Sequence, residues 1–158
     1  MSFKKQLTKE QALQKLRHYC GYQERCHSEV KEKLYELGVS KIHQDEIVAT
    51  LIEENYLNEE RFAILFAGGK FRIKQWGKQK IKFELKQRQV SSFSINKALK
   101  AIDEDTYRQT VQKLGTQKLK TLKTEKNFFI KRKKLYSFLT QKGFEQDLVA
   151  ETISLIME

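Results

Sequence analysis

The sequence predicts an all-α protein of three tandem three-helix repeats, about nine helices in an elongated, curved arrangement. Three observations lead there. The 158 residues contain no proline and only seven glycines, so the chain reversals that a many-stranded fold needs are scarce. Apolar residues recur at i and i+4, the helical spacing. The pattern also repeats itself: Val30, Leu34 and Val39 superpose on Ile81, Leu85 and Val90 with a shift of 51, and on Leu135, Leu139 and Phe144 with a further shift of 54. Ile47 and Leu51 likewise match Ile95 and Leu99, then Val149 and Ile153. Repeats are expected over 1–57, 58–103 and 104–158, each long enough for three short helices. Units of that size bury little alone, so neighbours should stack into a row with a long surface and no deep pocket.

Caps set the elements in order. Thr8 with Gln11 has capping-box spacing and opens a helix over 8–20. Ser28 caps a second over 28–37, stopped by Gly38. A third spans 45–55. Asn58, followed by Glu59 and Glu60, opens the longest, over 58–75, because a polar cap and two acids suit a helix N-terminus. Helices over 77–88 and 94–102 complete the second repeat. Asp105 opens the third, with helices over 105–121, 126–141 and 145–157.

The net charge of +11 is unevenly spread. Residues 1–67 carry 10 Lys/Arg against 11 Asp/Glu, residues 68–100 carry 10 against one, and residues 113–134 carry nine against one. Like charge at that density repels itself unless an anion neutralises it, which points to a phosphate-bearing partner; a merely solubilising surface is the plainer alternative. No run of about 18 apolar residues is present to cross a bilayer. The start, Met1-Ser2-Phe3-Lys4-Lys5-Gln6, leads into Leu7-Thr8-Lys9-Glu10 rather than an apolar segment, so it reads as no secretory signal. With Cys20 and Cys26 too close in sequence to staple a fold, a reducing, cytoplasmic location is expected.

On the helix from Asn58, the residues Phe62, Phe66, Gly69, Ile73 and Trp76 form one apolar stripe and are core candidates. Phe71 falls about 180° from Phe62 at 100° per residue, among Lys70, Arg72 and Lys74. In the next helix Ile81 and Leu85 point inward, leaving Phe83 beside Lys82 and Lys86. Aromatics among cations can stack on bases or anchor an interface, or a neighbouring repeat can cover them. Lys126 and Lys131 to Lys134 form a second cluster, with Phe128, Leu135 and Leu139 on the inward stripe. That run also resembles a nuclear localisation signal, which nothing else supports. Cys20, Cys26 and His27 lack metal-ligand spacing. Gly68-Gly69 lies inside a helical pattern without P-loop spacing, and no nucleophile elbow or carboxylate pair is present, so no enzyme, cofactor or metal is expected.

Three ordered stretches carry a resemblance. His27 to Gly38 is similar to "H-S-x-x-E-L-x-x-K-L-x-x-x-G", Asn55-Tyr56-Leu57-Asn58-Glu59-Glu60-Arg61-Phe62-Ala63 to "G-Y-L-D-D-x-R-F-A", and Gly77 to Leu85 to "G-x-x-x-I-x-x-E-L". Together they resemble the RecX family of regulatory proteins over about 65 residues, and the repeat scheme extends the likeness over nearly all of the chain. Asn58 stands where the family has Asp, and Arg88-Gln89-Val90 where it has Lys-Gly-Ile; the third repeat matches least. The resemblance implies a monomer that binds the RecA recombinase filament on single-stranded DNA. It also implies suppression of that filament's ATP hydrolysis, strand exchange and growth, and so modulation of DNA repair, recombination and the SOS response. On this reading Arg61, Lys70, Phe71, Arg72, Lys74, Lys78, Lys80, Lys82, Phe83 and Lys86 face the nucleoprotein. Lys131, Arg132, Lys133 and Lys134 add a second foothold. The alternative is a free-standing helical DNA- or RNA-binding protein with no recombinase partner.

Overall fold

Short polar side chains decide where most of these helices begin. In the computed structural model, which describes residues 6–158, they run as α1 (Lys9–Tyr22), α2 (His27–Glu36), α3 (Lys41–Glu53), α4 (Glu59–Gly69), α5 (Lys78–Gln87), α6 (Ser92–Lys100), α7 (Glu104–Thr121), α8 (Phe128–Gln141) and α9 (Gln146–Ile156). The stretch Met1 to Lys5, read as the start of no secretory signal, lies outside the described residues. Thr8 and Gln11 close the expected capping box, and Asn58 Oδ1 accepts the Arg61 amide at 2.9 Å. Two caps differ from expectation. Asp103 rather than Asp105 caps α7, accepting the Thr106 amide at 2.9 Å, and α2 starts one residue earlier, with Cys26 at its cap. Ser28 is thereby freed, and its hydroxyl donates to the Arg88 carbonyl, 60 residues away, at 2.9 Å.

The second helix of each repeat ends in the same way. The amides of Val39, Val90 and Phe144 donate to the carbonyls of Leu34, Leu85 and Leu139 at 3.1–3.2 Å, closing one overhanging turn three times. The residue before each is left-handed: Gly38, Gln89 and Gly143. The missing glycine at 89 therefore does not remove the stop.

α4 departs from the single helix expected over 58–75. It passes into a π-helical turn, Lys70–Lys74, which accommodates in effect one extra residue. Past that point each residue takes the angular place of the one before it. Phe71 swings onto the inner face and is buried, while Ile73, expected in the core stripe, is 79% exposed.

Two cores follow. Leu13, Leu16, Val30, Leu34, Ile47, Leu51 and Leu57 fill the first repeat. A second core takes in Cys26 from the first repeat and runs without a break through repeats 2 and 3, to Ile153. It is bridged by the series Phe71, Tyr107, Phe144, whose rings pack tilted with centroids 5.6 and 5.3 Å apart. The accessible surface, 10556 Å², exceeds the roughly 8300 Å² expected of a compact monomer of this mass, as an extended row of repeats requires.

Candidate nucleoprotein interface

The entry of one repeat's second helix seats on the exit of the next repeat's. Ser28 at the start of α2 meets Arg88 at the end of α5. At the start of α5, the amides of Gly77 and Gln79 take the carbonyls of Lys142 and Gly143 at 2.8 and 2.9 Å. Tyr107 locks this second joint: its hydroxyl accepts the Lys78 amide at 2.9 Å and donates to Glu145.

That joint gathers cations that are distant in sequence. Lys70 and Lys80 stand over the Trp76 ring at 5.1 and 4.6 Å, and Lys142 donates to the Lys74 carbonyl at 3.0 Å. Burial, and then the neighbouring Lys80, hold the Lys142 ammonium below the usual lysine pKa. No carboxylate pairs with any of the four lysines among the described residues. Two ammonium groups over one indole, with the Lys142 ammonium near Lys80 and none of them paired with a carboxylate, form a place where an anion lowers the energy. Sequence reasoning missed Lys142; Trp76, a core candidate, is half-buried and packs against the second core while its ring also takes the two lysines. The signal available was the shift of 54, which aligns Lys142 with Arg88 and so with a helix exit.

The surface continues along α5. Phe83 is 58% exposed, on the outward face that its stripe predicts, with Lys82 and Lys86 one turn apart beside it. Lys74 and Arg72 are exposed, the Arg72 guanidinium lying across Gly68.

Three expected site residues are occupied within the fold. Arg61 Nε donates to Glu24 at 2.7 Å, and its terminal nitrogens donate to the Asn55 side chain and to the carbonyls of Asn55 and Tyr56. It ties repeat 1 to repeat 2 and is not a free cation. Phe71 is buried against Tyr107, because repeat 3 covers that face of the π turn. Lys78 lies over the Tyr107 ring and reaches Glu104 at 3.4 Å.

In repeat 3, Lys133 is exposed and Lys131 and Arg132 half-buried, whereas Lys134 pairs with Glu125 at 3.7 Å. Leu135 and Leu139 face inward as expected; Phe128 does not, and is 51% exposed, because it sits on the first turn of α8, beyond the core. Lys131 and Lys142 lie at opposite ends of α8, about 16 Å apart at 1.5 Å per residue. One helix thus connects the two basic clusters.

Repeat 1 is different. Its acids and bases nearly balance, and some pair within the repeat, as Arg17 does with Glu54 at 2.7 Å. Its largest depression, of about 810 Å³, is an open groove along α1 lined by His18, Tyr19, Tyr22, Arg25 and Lys33, with Arg25 stacked 3.8 Å over Tyr19. Burial pushes the Cys20 thiol up to about 11, which suits a packing residue rather than a nucleophile. Among the described residues no three His, Cys, Asp or Glu side chains are placed to hold a metal ion, and no helix is long and apolar enough to cross a membrane.

Residues 58–99 match the family described as "RecX, second three-helix domain", and residues 105–153 the one described as "RecX, third three-helix domain". The chain is 30% identical over 126 residues to the regulatory protein RecX of Clostridium botulinum (strain Eklund 17B / Type B), covering 79% of this chain and 58% of that one. It is 30% identical over 129 residues to the RecX of Leuconostoc mesenteroides, covering 82% of this chain and 48% of that one. The chain thus spans about half the length of these relatives. In fold it is similar to the crystal structure of RecX from Lactobacillus salivarius, with a TM-score of 0.85, 21% identity, and coverage of 94% of this chain and 96% of that one.

Proposed function

The chain belongs to the RecX family, and from that premise we propose that it is a non-catalytic regulator that binds the RecA filament on single-stranded DNA. By occupying the filament it restrains ATP hydrolysis, strand exchange and growth, and so modulates DNA repair and recombination. The observation that carries this reading is the pair Lys70 and Lys80 over Trp76, with Lys142 seated on the Lys74 carbonyl at the same joint, continued along α5 by Lys82, Phe83 and Lys86. It is cationic, uncompensated and long, which suits a polyanion held at many points. Arg72 and Lys131 to Lys133 extend it; Arg61, Phe71 and Lys78 serve the fold.

The units 1–57, 58–103 and 104–158 divide the work on this reading. Repeat 1, nearly neutral and with an aromatic groove, meets protein; repeats 2 and 3 meet the more anionic surface. A cytoplasmic monomer suffices for this.

The test is recombinase ATPase activity on single-stranded DNA. The native chain should inhibit it, and joint reversal of Lys70, Arg72 and Lys74 to Glu should abolish the inhibition. Unchanged inhibition by the triple variant would sink the assignment. The free-standing reading is favoured only by the cations of repeat 3, which need no protein partner. Tight, salt-sensitive binding to naked duplex with no response to the recombinase would replace the first reading with it.

A further inference from the structure

The start of α8 breaks the pattern of the other two second helices. By the shifts of 51 and 54, Cys26, Gly77 and Lys131 are equivalent. Cys26 and Gly77 are extended caps, each at a joint with the following repeat. Lys131 instead lies inside α8, which starts a turn earlier at Phe128, its first amides satisfied by Asn127 Oδ1 at 3.0 and 3.1 Å. The extra turn therefore does not reproduce the joint geometry. It carries large apolar side chains outward: Phe128 is 51% and Phe129 78% exposed.

The two rings meet edge to face, with centroids 5.9 Å apart, so they do not stack on each other and each keeps a face open. Around them Lys126, Lys131, Arg132 and Lys133 have no ion-pair partner among the described residues, and the nearby Glu125 is taken by Lys134. Ile130, on the same turn, begins a groove of about 530 Å³ along α8, lined by Lys118, Lys133, Phe138 and Gln141, in which Lys118 stands 5.1 Å over the Phe138 ring.

We propose that the first turn of α8 is a base-stacking site for single-stranded nucleic acid. Phe128 and Phe129 take the faces of unstacked bases, while Lys126, Lys131, Arg132 and Lys133 hold the adjoining phosphates. The groove leads the strand on towards Phe138. Rings that accept any base face, set among cations that accept any phosphate, make a sequence-tolerant grip on a single strand. A duplex, whose bases are already stacked, would engage only the cations. The site rests on the regulatory reading above and deepens it, by assigning nucleic acid rather than protein to repeat 3.

The experiment is fluorescence anisotropy of the full chain on a labelled oligothymidine and on an abasic phosphodiester strand of equal length and charge. Recombinase ATPase assays run in parallel. The native chain should bind the base-bearing strand about tenfold tighter than the abasic one, the order expected of aromatic stacking. Joint substitution of Phe128 and Phe129 by Ala should erase that preference and leave the salt dependence unchanged, and tyrosine at both positions should restore it. Both rings are exposed, so the fold should be kept, as helicity by circular dichroism will show. A native chain with no preference for bases overturns the site, and so does a double variant that keeps the preference. If the variant loses only its effect on the recombinase, the turn is a protein contact and the proposal fails. A chain that stacks bases but leaves the ATPase untouched upholds this site and refutes the recombinase reading.

Discussion

Gly77 and Gly143 meet backbone to backbone across the joint of repeats 2 and 3. A Cβ on Gly77 would stand 2.3 Å from the carbonyl carbon of Gly143, and one on Gly143 would stand 2.3 Å from the Cβ of Lys80. This contact explains why the stretch resembling "G-x-x-x-I-x-x-E-L" opens on a glycine. The exit of α8 can hand its carbonyls to the entry of α5 only if neither residue has a side chain in the way.

Alanine at either position should therefore be costly, since the obstacles are main-chain atoms and the Lys80 Cβ, none of which can rotate aside. Gly77→Ala should destabilise by about 3 kcal/mol, the upper part of the range for overpacking, and Gly143→Ala by more, because its φ of +101° also disfavours a side chain. Gly21 supplies the control: it is helical and nothing lies within 4 Å of an added Cβ, so Gly21→Ala should gain roughly 0.5–1 kcal/mol. Urea midpoints for the three variants check this. Equal effects at 21 and 77 would refute the close-contact account.

Gln89 takes the place that glycine holds in the other two repeats, at φ +61°. The left-handed conformation costs a residue with a Cβ roughly 1–2 kcal/mol. Gln89 is exposed, and its side chain makes no hydrogen bond among the described residues, so little is lost with it. Gln89→Gly should stabilise the protein by about 1 kcal/mol, less the extra chain entropy of glycine in the unfolded state. A lower thermal midpoint in the glycine variant would contradict this.

Much of the fold was legible because it rests on local rules. The i, i+4 pattern and the caps placed nine helices, and shifts of 51 and 54 matched residues that share one turn geometry, down to the Val39, Val90 and Phe144 amides. What was not legible depends on backbone register and on contacts between repeats. A π turn is a one-residue displacement that leaves no compositional trace, so Phe71 and Ile73 exchanged faces. Arg61 read as a free cation because Glu24, 37 residues earlier, is brought to it only by the packing of repeat 1 on repeat 2. Lys142 reaches the Lys74 carbonyl from 68 residues further along the chain, at the joint that the glycine contact closes. Phe128 followed the stripe of α8, but the stripe outlasts the core by one turn.

His27 gives the joint between repeats 1 and 2 a pH dependence. It lies in the first turn of α2, half-buried, and burial pulls its pKa below the 6.5 of the free side chain. Glu59 opposes that shift and Lys31 adds to it, and the helix N-terminus also disfavours imidazolium. Because the folded pKa is the lower one, the unfolded chain takes up the proton first as pH falls. The stability that neutral His27 contributes is complete above 6.5 and is lost as pH falls through the folded value. The carboxylates of Glu46, Glu54, Glu59 and Asp103 are all held below their ordinary values, so their losses begin only at more acid pH. Between about pH 6.5 and 5, then, histidine titration is isolated from carboxylate titration. Over that range the thermal midpoint of the native chain should drop, and that of His27→Asn should drop less. Circular dichroism melts at pH 7, 6 and 5 provide the measurement, and parallel curves for the two proteins would show that the joint does not sense the charge of His27.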